Sequence, residues 1–150
     1  TYSQFMDEAH LRQVLPDYDV VIDATDQLEN KFLINDVCVS AEKPFVHGGI
    51  TGFSGQVMTY VPEKGPCYRC IFGEVPEDNA PAPIPVIGVT AGIIGTIQAA
   101  EAIRYLLGIP SLLTGKLLVL DGLRMQFRTV PFPHVSEHCP LHTRKGVTDL

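Results

Sequence analysis

The chain lacks tryptophan, and lysine and arginine together contribute only 11 of its 150 residues, against 17 acidic ones. The resulting net charge of −6 argues against the basic surface on which nucleic-acid-binding domains depend. Charged residues are few, at 19%, whereas 45% of the residues are hydrophobic, which excludes an intrinsically disordered chain. The composition therefore indicates one globular domain that does not bind nucleic acid.

The sequence also shows no sign of a secretory signal, a membrane span or a disulfide scaffold. No basic segment followed by an apolar one opens the chain, and four cysteines are too few for a disulfide framework. The uncharged stretch 80–100 is long enough to span a bilayer, but Pro81, Pro83 and Pro85 cannot lie inside one helix. We therefore expect a cytoplasmic protein with no membrane partner.

The order of the hydrophobic segments predicts an α/β fold with a mixed sheet. The first strand, helix and second strand form a βαβ unit, and the second long helix is expected to be buried on most sides because it carries only two charges. The polar segments 1–16 and 131–150 show no periodic pattern. The predicted strands are 18–23, 44–49, 55–61, 117–121 and 125–130, and the predicted helices are 26–41 and 90–107.

Two carboxylates mark the end of the first predicted strand, one as its last residue and one three residues later. Asp23 and Asp26 lie at the carboxyl end of a parallel strand, where open α/β sheets bind their ligands, and a carboxylate there suits Mg²⁺ on a nucleoside triphosphate. Simpler roles fit as well: Asp26 and Glu29 have the spacing of a helix-capping box, and Asp23 suits a buried strand end. His47, which ends the second strand, is interpreted as a core or loop histidine rather than a catalytic base.

The strongest chemical signal is a pair of short motifs on two distant loops, C-Y-R-C at 67–70 and C-P-L-H at 139–142. Each motif forms a tight chelating turn, and together they have the spacing of a tetrahedral Cys₃His zinc site with no open position. We therefore predict a structural Zn²⁺ that ties the tail to the loop 62–85. His138 is the alternative to His142, and a redox-active C-x-x-C is the alternative function. The predicted ligands are Cys67, Cys70, Cys139 and His142.

Three glycines, Gly88, Gly92 and Gly95, do not form a phosphate-binding loop, because no Lys-Ser or Lys-Thr pair follows them. We expect them to let the helix at 90–107 pack closely against a neighbour. Cys38 lies on an apolar helix face and is interpreted as a small buried hydrophobic residue.

Several segments together, in this order, are similar to a known family. The segments are YDVVIDATD at 18–26, Gly55-Gln56, the motif at 67–70, GTIQAAEAI at 95–103 and Asp121-Gly122. They resemble the HesA/MoeB/ThiF family of ubiquitin-activating-like adenylyltransferases. The resemblance implies a Rossmann-like ThiF fold, of which residues 1–150 would form the C-terminal portion, because the family's Gly-rich nucleotide-binding half precedes the matched residues.

The resemblance also implies an activity, the ATP-dependent adenylation of the C-terminal Gly-Gly carboxylate of a ubiquitin-like sulfur-carrier protein. Asp26 matches the family's Mg-associated catalytic aspartate, and Lys31 falls where members often carry arginine, so both are expected to bind the Mg-ATP co-substrate. The family's zinc usually has two C-x-x-C pairs, whereas the second pair here ends in His142. Members are commonly homodimers, for which the helix at 90–107 offers a surface.

Without the Gly-rich half, we expect the isolated chain to bind ATP poorly and to be inactive. A non-catalytic module that docks a carrier or a partner enzyme is the alternative. The loop 77–83 has no cysteine, so we expect no covalent link to the carrier there, although its prolines suit a loop that guides the carrier's tail.

Overall fold

The computed structural model describes residues 1–75 and 85–142. The predicted carrier-guiding loop 77–83 lies outside the described residues, as does the end of the tail. No helix of the described part is long and apolar enough to cross a bilayer. In chain order the elements are α1 (Glu8–Val14), a 3₁₀ helix (Leu15–Asp17), β1 (Val21–Asp23), α2 (Leu28–Ser40), β2 (Phe45–Thr51), β3 (Ser54–Tyr60), α3 (Tyr68–Phe72), α4 (Gly88–Leu106), β4 (Lys116–Asp121) and β5 (Gln126–Pro131).

The five strands form one mixed sheet in the order β1-β2-β3-β4-β5. β1 and β2 are parallel and are connected through α2, so Asp23 lies opposite His47 in the register. The other three pairs are antiparallel. The predicted α/β fold with a mixed sheet is confirmed, and the carboxyl ends of β1 and β2 lie side by side.

The alternation of side chains along β2 divides the core between the two faces of the sheet. Phe45 packs with Phe32 of α2 and with Met58 of β3 in the larger hydrophobic cluster, to which α3 also contributes. Val46, on the opposite face, packs with Ile94 of α4 in the smaller cluster. Helices α2 and α3 therefore cover one face of the sheet, and α4 covers the other.

Two helices lie in segments that the sequence pattern assigned to loops. In α1, the Asp7 carboxylate caps the helix by accepting from the His10 backbone N–H at 2.9 Å, and Arg12 pairs with Glu8 one turn along. The second helix, α3, interrupts the predicted loop 62–85. Both are short, so neither contains enough turns to show a hydrophobic period.

Helix α2 begins two residues later than predicted. Its N-cap is Gln27, which makes no side-chain capping bond, so the simpler alternative for Asp26, that it caps this helix, is excluded. The Asp23 carboxylate instead accepts from the Thr25 backbone N–H at 3.0 Å, and this turn leaves Asp26 outside the first turn of α2. Asp26 is exposed.

Helix α4 is less buried than predicted. Its lack of charge was interpreted as burial on most sides, but only one face of the helix is buried. The buried residues are Thr90, Ile94, Gln98, Glu101 and Ala102. None of the residues along the centre of the opposite, exposed face is charged. They are Val89, Gly92, Thr96, Ala99, Ile103 and Leu107.

Within the described part of one chain, the glycines of α4 do not make the close packing predicted for them, and the close approach to a glycine occurs on the sheet instead. Among the described residues, a Cβ added at Gly88, Gly92 or Gly95 would meet no other atom within 4 Å. A Cβ at Gly55 of β3, by contrast, would lie 2.5 Å from the Ile94 side chain. Helix α4 approaches the sheet closely because β3 presents a residue without a side chain at that point.

Replacing Gly55 by alanine should destabilise the fold, because the added methyl group would overlap Ile94 in the core. We expect the free energy of unfolding, measured by urea denaturation, to fall by about 1–3 kcal/mol. Gly95→Ala is the matched control, since its methyl group would enter open space and alanine favours a helix by up to about 1 kcal/mol. Equal losses in both variants would contradict close packing at Gly55.

Candidate functional site

A buried carboxylate lies where β1 and β2 end. Asp23 and His47 are 1% and 0% exposed, and His47 Nδ1 lies 2.8 Å from Asp23 Oδ2. Lys31 of α2 donates to the same oxygen at 3.2 Å and to the Gly48 carbonyl at 2.8 Å. The predictions of Asp23 as a buried, hydrogen-bonded strand end and of His47 as a core residue are confirmed.

The second carboxylate oxygen of Asp23 accepts from the Thr25 backbone N–H at 3.0 Å and from the Thr25 hydroxyl at 2.7 Å. Asp23 thus accepts four hydrogen bonds, about as many as its lone pairs allow. Burial by itself would raise the pKa of Asp23, but the bonds from His47 and Thr25 and the charge of Lys31 outweigh it and lower the pKa to about 2. Asp23 is therefore ionised at neutral pH.

His47 is held in one tautomer. Burial lowers its pKa in spite of the opposing hydrogen bond to Asp23, so the imidazole is neutral at neutral pH. Its Nε2 atom lies 3.3 Å from the amide nitrogen of Gln56, which is a donor, so Nε2 accepts and the proton resides on Nδ1. The Nδ1–H group consequently donates to Asp23. Burial also lowers the pKa of Lys31, against the attraction of Asp23.

Gln98 joins the two strand ends from the opposite face of the sheet. Its amide nitrogen donates to the backbone carbonyl of Asp23 at 2.7 Å and to that of Val46 at 3.2 Å. Gly48 leaves room for this side chain, because a Cβ there would lie 2.4 Å from it. The sequence reasoning assigned Gln98 no role, although a polar residue on the buried face of an uncharged helix was the available signal.

Asp26 lies outside the buried network. It is exposed, and its charge acts on the Lys31 ammonium. The two aspartates therefore differ in what they can do. Asp23 is an internal acceptor with its lone pairs occupied, whereas Asp26 presents a carboxylate to solvent just beyond the end of β1.

The two cysteine motifs come together in the structure. The sulfur of Cys67 lies 3.7 Å from those of Cys70 and Cys139, and Nδ1 of His142 lies 3.3 Å from the Cys70 sulfur. These four ligand atoms lie within 4.8 Å of one another and could hold a metal ion. His138 is exposed and does not belong to the group. The hydrogen bond between the first two thiols lowers the pKa of Cys70 and raises that of Cys67.

Helix α2 anchors the first cysteine motif. The Tyr68 backbone N–H donates to Asn35 Oδ1 at 2.8 Å, and Arg69 donates to both oxygens of Asp36 at 2.6 and 2.7 Å. The Arg69 guanidinium also lies 4.7 Å from the centre of the Phe32 ring. The two residues between the cysteines thus fix the motif to α2, whereas the sequence reasoning treated them only as a spacer.

The remaining cysteine, Cys38, lies apart from this group and is 2% exposed in the larger hydrophobic cluster. Burial raises the pKa of its thiol to about 12. A buried, protonated thiol is unreactive, so the interpretation of Cys38 as a small hydrophobic residue is confirmed.

Residues 1–141, which are nearly the whole chain, match the profile of the ThiF family. The chain belongs to the ThiF family. It is 41% identical to the SAMP-activating enzyme E1 of Haloferax volcanii, with 97% of this chain and 54% of that protein covered. It is 35% identical to the adenylyltransferase and sulfurtransferase MOCS3 of Drosophila persimilis, with 95% of this chain and 34% of that protein covered. The chain thus spans about half of the first relative's length and about a third of the second's.

Solved structures have the same fold. The crystal structure of E. coli MccB with ATP matches with a TM-score of 0.74 and 20% identity, over 90% of this chain and 42% of that chain. The microcin C7 biosynthetic enzyme MccB in complex with N-formylated MccA matches with a TM-score of 0.76 and 18% identity, over 92% and 44% of the two chains. These likenesses confirm the expected ThiF-like architecture, and at such identities they establish the fold alone.

Removing the Asp23 charge should destabilise the protein strongly, because Lys31 would stay buried without its counter-charge. We expect Asp23→Asn to lower the free energy of unfolding by about 3–5 kcal/mol at neutral pH, measured by urea denaturation. Since the folded pKa of Asp23, about 2, lies below the ordinary value of an aspartate in an unfolded chain, this stabilisation is present above that ordinary value and is lost as the pH falls toward 2. The difference in unfolding free energy between parent and variant should therefore become smaller in acid.

The control for this experiment is Asp121→Asn, which breaks the more exposed ion pair with Arg124. We expect it to change the free energy of unfolding by less than about 1 kcal/mol. If Asp23→Asn and Asp121→Asn lowered the free energy of unfolding by similar amounts, the buried carboxylate would contribute no more to stability than a more exposed one, which would contradict this prediction.

Proposed function

We propose that this chain supplies part of an adenylation site that activates the C-terminal Gly-Gly carboxylate of a ubiquitin-like sulfur-carrier protein with Mg-ATP. The supporting observation is the exposed Asp26 carboxylate beyond the carboxyl end of β1, in a chain of the ThiF family. The names of the relatives, a SAMP-activating enzyme and an adenylyltransferase, and the complex of MccB with ATP agree with this function.

In this reaction a carboxylate oxygen of the carrier attacks the α-phosphorus of ATP. A new P–O bond forms, and pyrophosphate leaves with the electron pair of the bond that breaks. Mg²⁺ neutralises phosphate charge, and Asp26 would hold it, because an accessible carboxylate suits this hard cation. Asp23 is the poorer candidate, since four hydrogen bonds already occupy its oxygens.

Lys31 is proposed to contact the nucleotide as well. Two of the three N–H donors of its ammonium bond to Asp23 and to the Gly48 carbonyl. Among the residues that the structure describes, the third donor has no acceptor. Lys31, although 8% exposed, could therefore bind a phosphate oxygen without leaving the buried network.

A complete phosphate-binding site needs more than these residues. Nucleotide-binding α/β folds hold phosphate on a Gly-rich turn between a strand and a helix, and residues 1–150 include no such turn. We therefore propose that adenylation requires a Gly-rich nucleotide-binding half in addition to this chain, and that residues 1–150 alone are inactive.

The ion in the group of Cys67, Cys70, Cys139 and His142 is proposed to be a structural Zn²⁺. A tetrahedron of ligands about 2.3 Å from its centre has edges of about 3.8 Å, and the sulfur–sulfur distances of 3.7 Å agree with that geometry. Three sulfurs and one imidazole are ligands that zinc prefers. A redox pair is less well supported, because it needs only two cysteines, whereas Cys139 and His142 also lie in this group with all four ligand atoms within 4.8 Å of one another.

We also propose a homodimer that buries the exposed face of α4. This face is uncharged, with Gly92 and Ala99 near its centre and Val89, Ile103 and Leu107 beside them. Small residues allow two helices to approach closely, and a two-fold axis brings the same face of both copies together.

Asp26→Asn should abolish activation without unfolding the protein. The assay is ATP–pyrophosphate exchange by the full-length protein with a carrier that ends in Gly-Gly, and we expect the rate to fall by about a hundredfold or more. Because Asp26 is exposed, the free energy of unfolding should change by less than about 0.5 kcal/mol. Asp19→Asn, at an exposed aspartate just before β1, should keep parental activity. Normal exchange by Asp26→Asn would remove Asp26 from the site.

A native mass spectrum of the purified chain should contain one zinc ion per chain and the mass of a dimer. Cys70→Ser should bind zinc at least about tenfold more weakly, because it lacks one thiolate ligand. Cys38→Ala is the matched control and should keep the ion, since Cys38 lies outside the cluster. A metal-free chain lighter by two hydrogen atoms would indicate a disulfide and contradict the zinc site, and a monomer would contradict the dimer.

A further inference from the structure

Helix α3 is too short to be stable by itself. It contains five residues, whereas isolated helices need roughly 12–15 residues to be even marginally stable in water. Its N-cap is Cys67 and its third residue is Cys70, so two of the four proposed metal ligands lie in its first turn. The position of α3 therefore depends on the metal centre and on the surfaces that the helix contacts.

The aromatic residues of α3 pack on His47. The ring centres of Tyr68 and His47 are 4.6 Å apart, and Phe72 lies 4.4 Å from Tyr68 and 6.1 Å from His47. Under this cover His47 is 0% exposed, and its Nδ1–H group donates to Asp23 over 2.8 Å. Helix α3 thus keeps water away from the hydrogen bond between His47 and Asp23.

Helix α2 contacts both Asp23 and α3, and so provides a second link between them. Lys31 and Asn35 are four residues apart and lie on the same face of α2. Lys31 binds the Asp23 carboxylate, and Asn35 accepts from the Tyr68 backbone N–H. The contacts form a closed ring from Asp23 through Lys31, Asn35, Tyr68 and His47 back to Asp23. If α3 moved, the contact between the Tyr68 and His47 rings would change, and with it the hydrogen bond from His47 to Asp23.

We propose that Tyr68 is a positioning residue for the adenylation site, because its ring seats His47 against Asp23 and so couples metal binding to the strand end that precedes Asp26. This inference rests on the adenylation function proposed above. Tyr68 lies between two of the proposed metal ligands, Cys67 and Cys70. Through its contact with His47, a bound ion would help to hold the carboxyl end of β1 in place without touching it.

The test follows the His47 Nδ1–H proton by NMR in the zinc-bound chain, without ATP or carrier. The parent should have a slowly exchanging imidazole proton, because the hydrogen bond is buried. Tyr68→Leu, which removes the flat ring but keeps an apolar side chain, should raise the exchange rate with water by about tenfold or more. Tyr68→Phe keeps the ring and should stay within about twofold of the parent, and chelation of zinc should act like Tyr68→Leu.

An unchanged His47 exchange rate in Tyr68→Leu would overturn the proposal. Amide exchange at Val46 and Val57, in the cluster on the opposite face of the sheet, separates a local effect from loss of the fold and should keep parental rates. If the amides of Val46 and Val57 exchange faster in Tyr68→Leu, that variant has lost the fold and Asn35→Ala is used instead. Asn35→Ala removes the acceptor of the Tyr68 backbone N–H but keeps the Tyr68 ring. A parental His47 exchange rate in Asn35→Ala would then overturn the proposal.

Pyrophosphate exchange by the full-length protein separates this inference from the proposed function. Tyr68→Leu should lower kcat/KM for ATP by about tenfold, and Tyr68→Phe should keep the parental value. If the parent has no exchange activity, the proposed function fails and the positioning role fails with it, while the NMR result still decides whether Tyr68 seats His47. If His47 responds to Tyr68→Leu but kcat/KM does not, the positioning role in adenylation is overturned.

Discussion

The buried carboxylate of Asp23 is the group on which the order of the surrounding structure depends. Removing a charge from water is costly unless hydrogen bonds and an opposite charge replace the water. Here the replacements come from the turn after β1, from α2 and from β2. Each of these segments is fixed by the bond it makes, so the position of the exposed Asp26 is set by a residue that solvent cannot reach.

Hydrophobic pattern predicted the elements in which burial and periodicity coincide. The βαβ unit and the antiparallel strands were found within a few residues of their predicted limits. β2, β3 and β4 place buried residues in the core, whereas β5, which has no buried residue, was predicted as the partner of β4 across the turn at Gly122. Helices α1 and α3 were missed because neither has a long apolar stripe: a cap at Asp7 holds α1, and hydrogen bonds to Asn35 and Asp36 of α2 hold α3. For α4 the sequence predicted too much burial, since a helix face that carries no charge can still be exposed to solvent.

Within the candidate site, the sequence predicted which cysteine and histidine side chains come together, but it did not predict the residues that hold them and Asp23 in place. Chelation obeys short-range spacing rules, which is why the cysteine and histidine motifs were informative. The partners of Asp23 and Tyr68 obey no such rule. Asn35 bonds a residue 33 positions away, and Gln98 bonds one 75 positions away. Such contacts depend on the register of β1 and β2 and on the approach of α4, which are properties of the folded chain.

A metal ion in the group of Cys67, Cys70, Cys139 and His142 would also change the connectivity of the molecule. Its two ligand pairs enclose α4, β4 and β5, so an ion bound to both pairs closes that part of the chain into a loop. If a protease cut a peptide bond between Cys70 and Cys139, the two fragments would stay joined through metal–thiolate bonds. A nicked molecule would thus stay linked for as long as the ion is bound, and chelation would leave only non-covalent contacts, such as the strand pairs of the sheet, between the fragments.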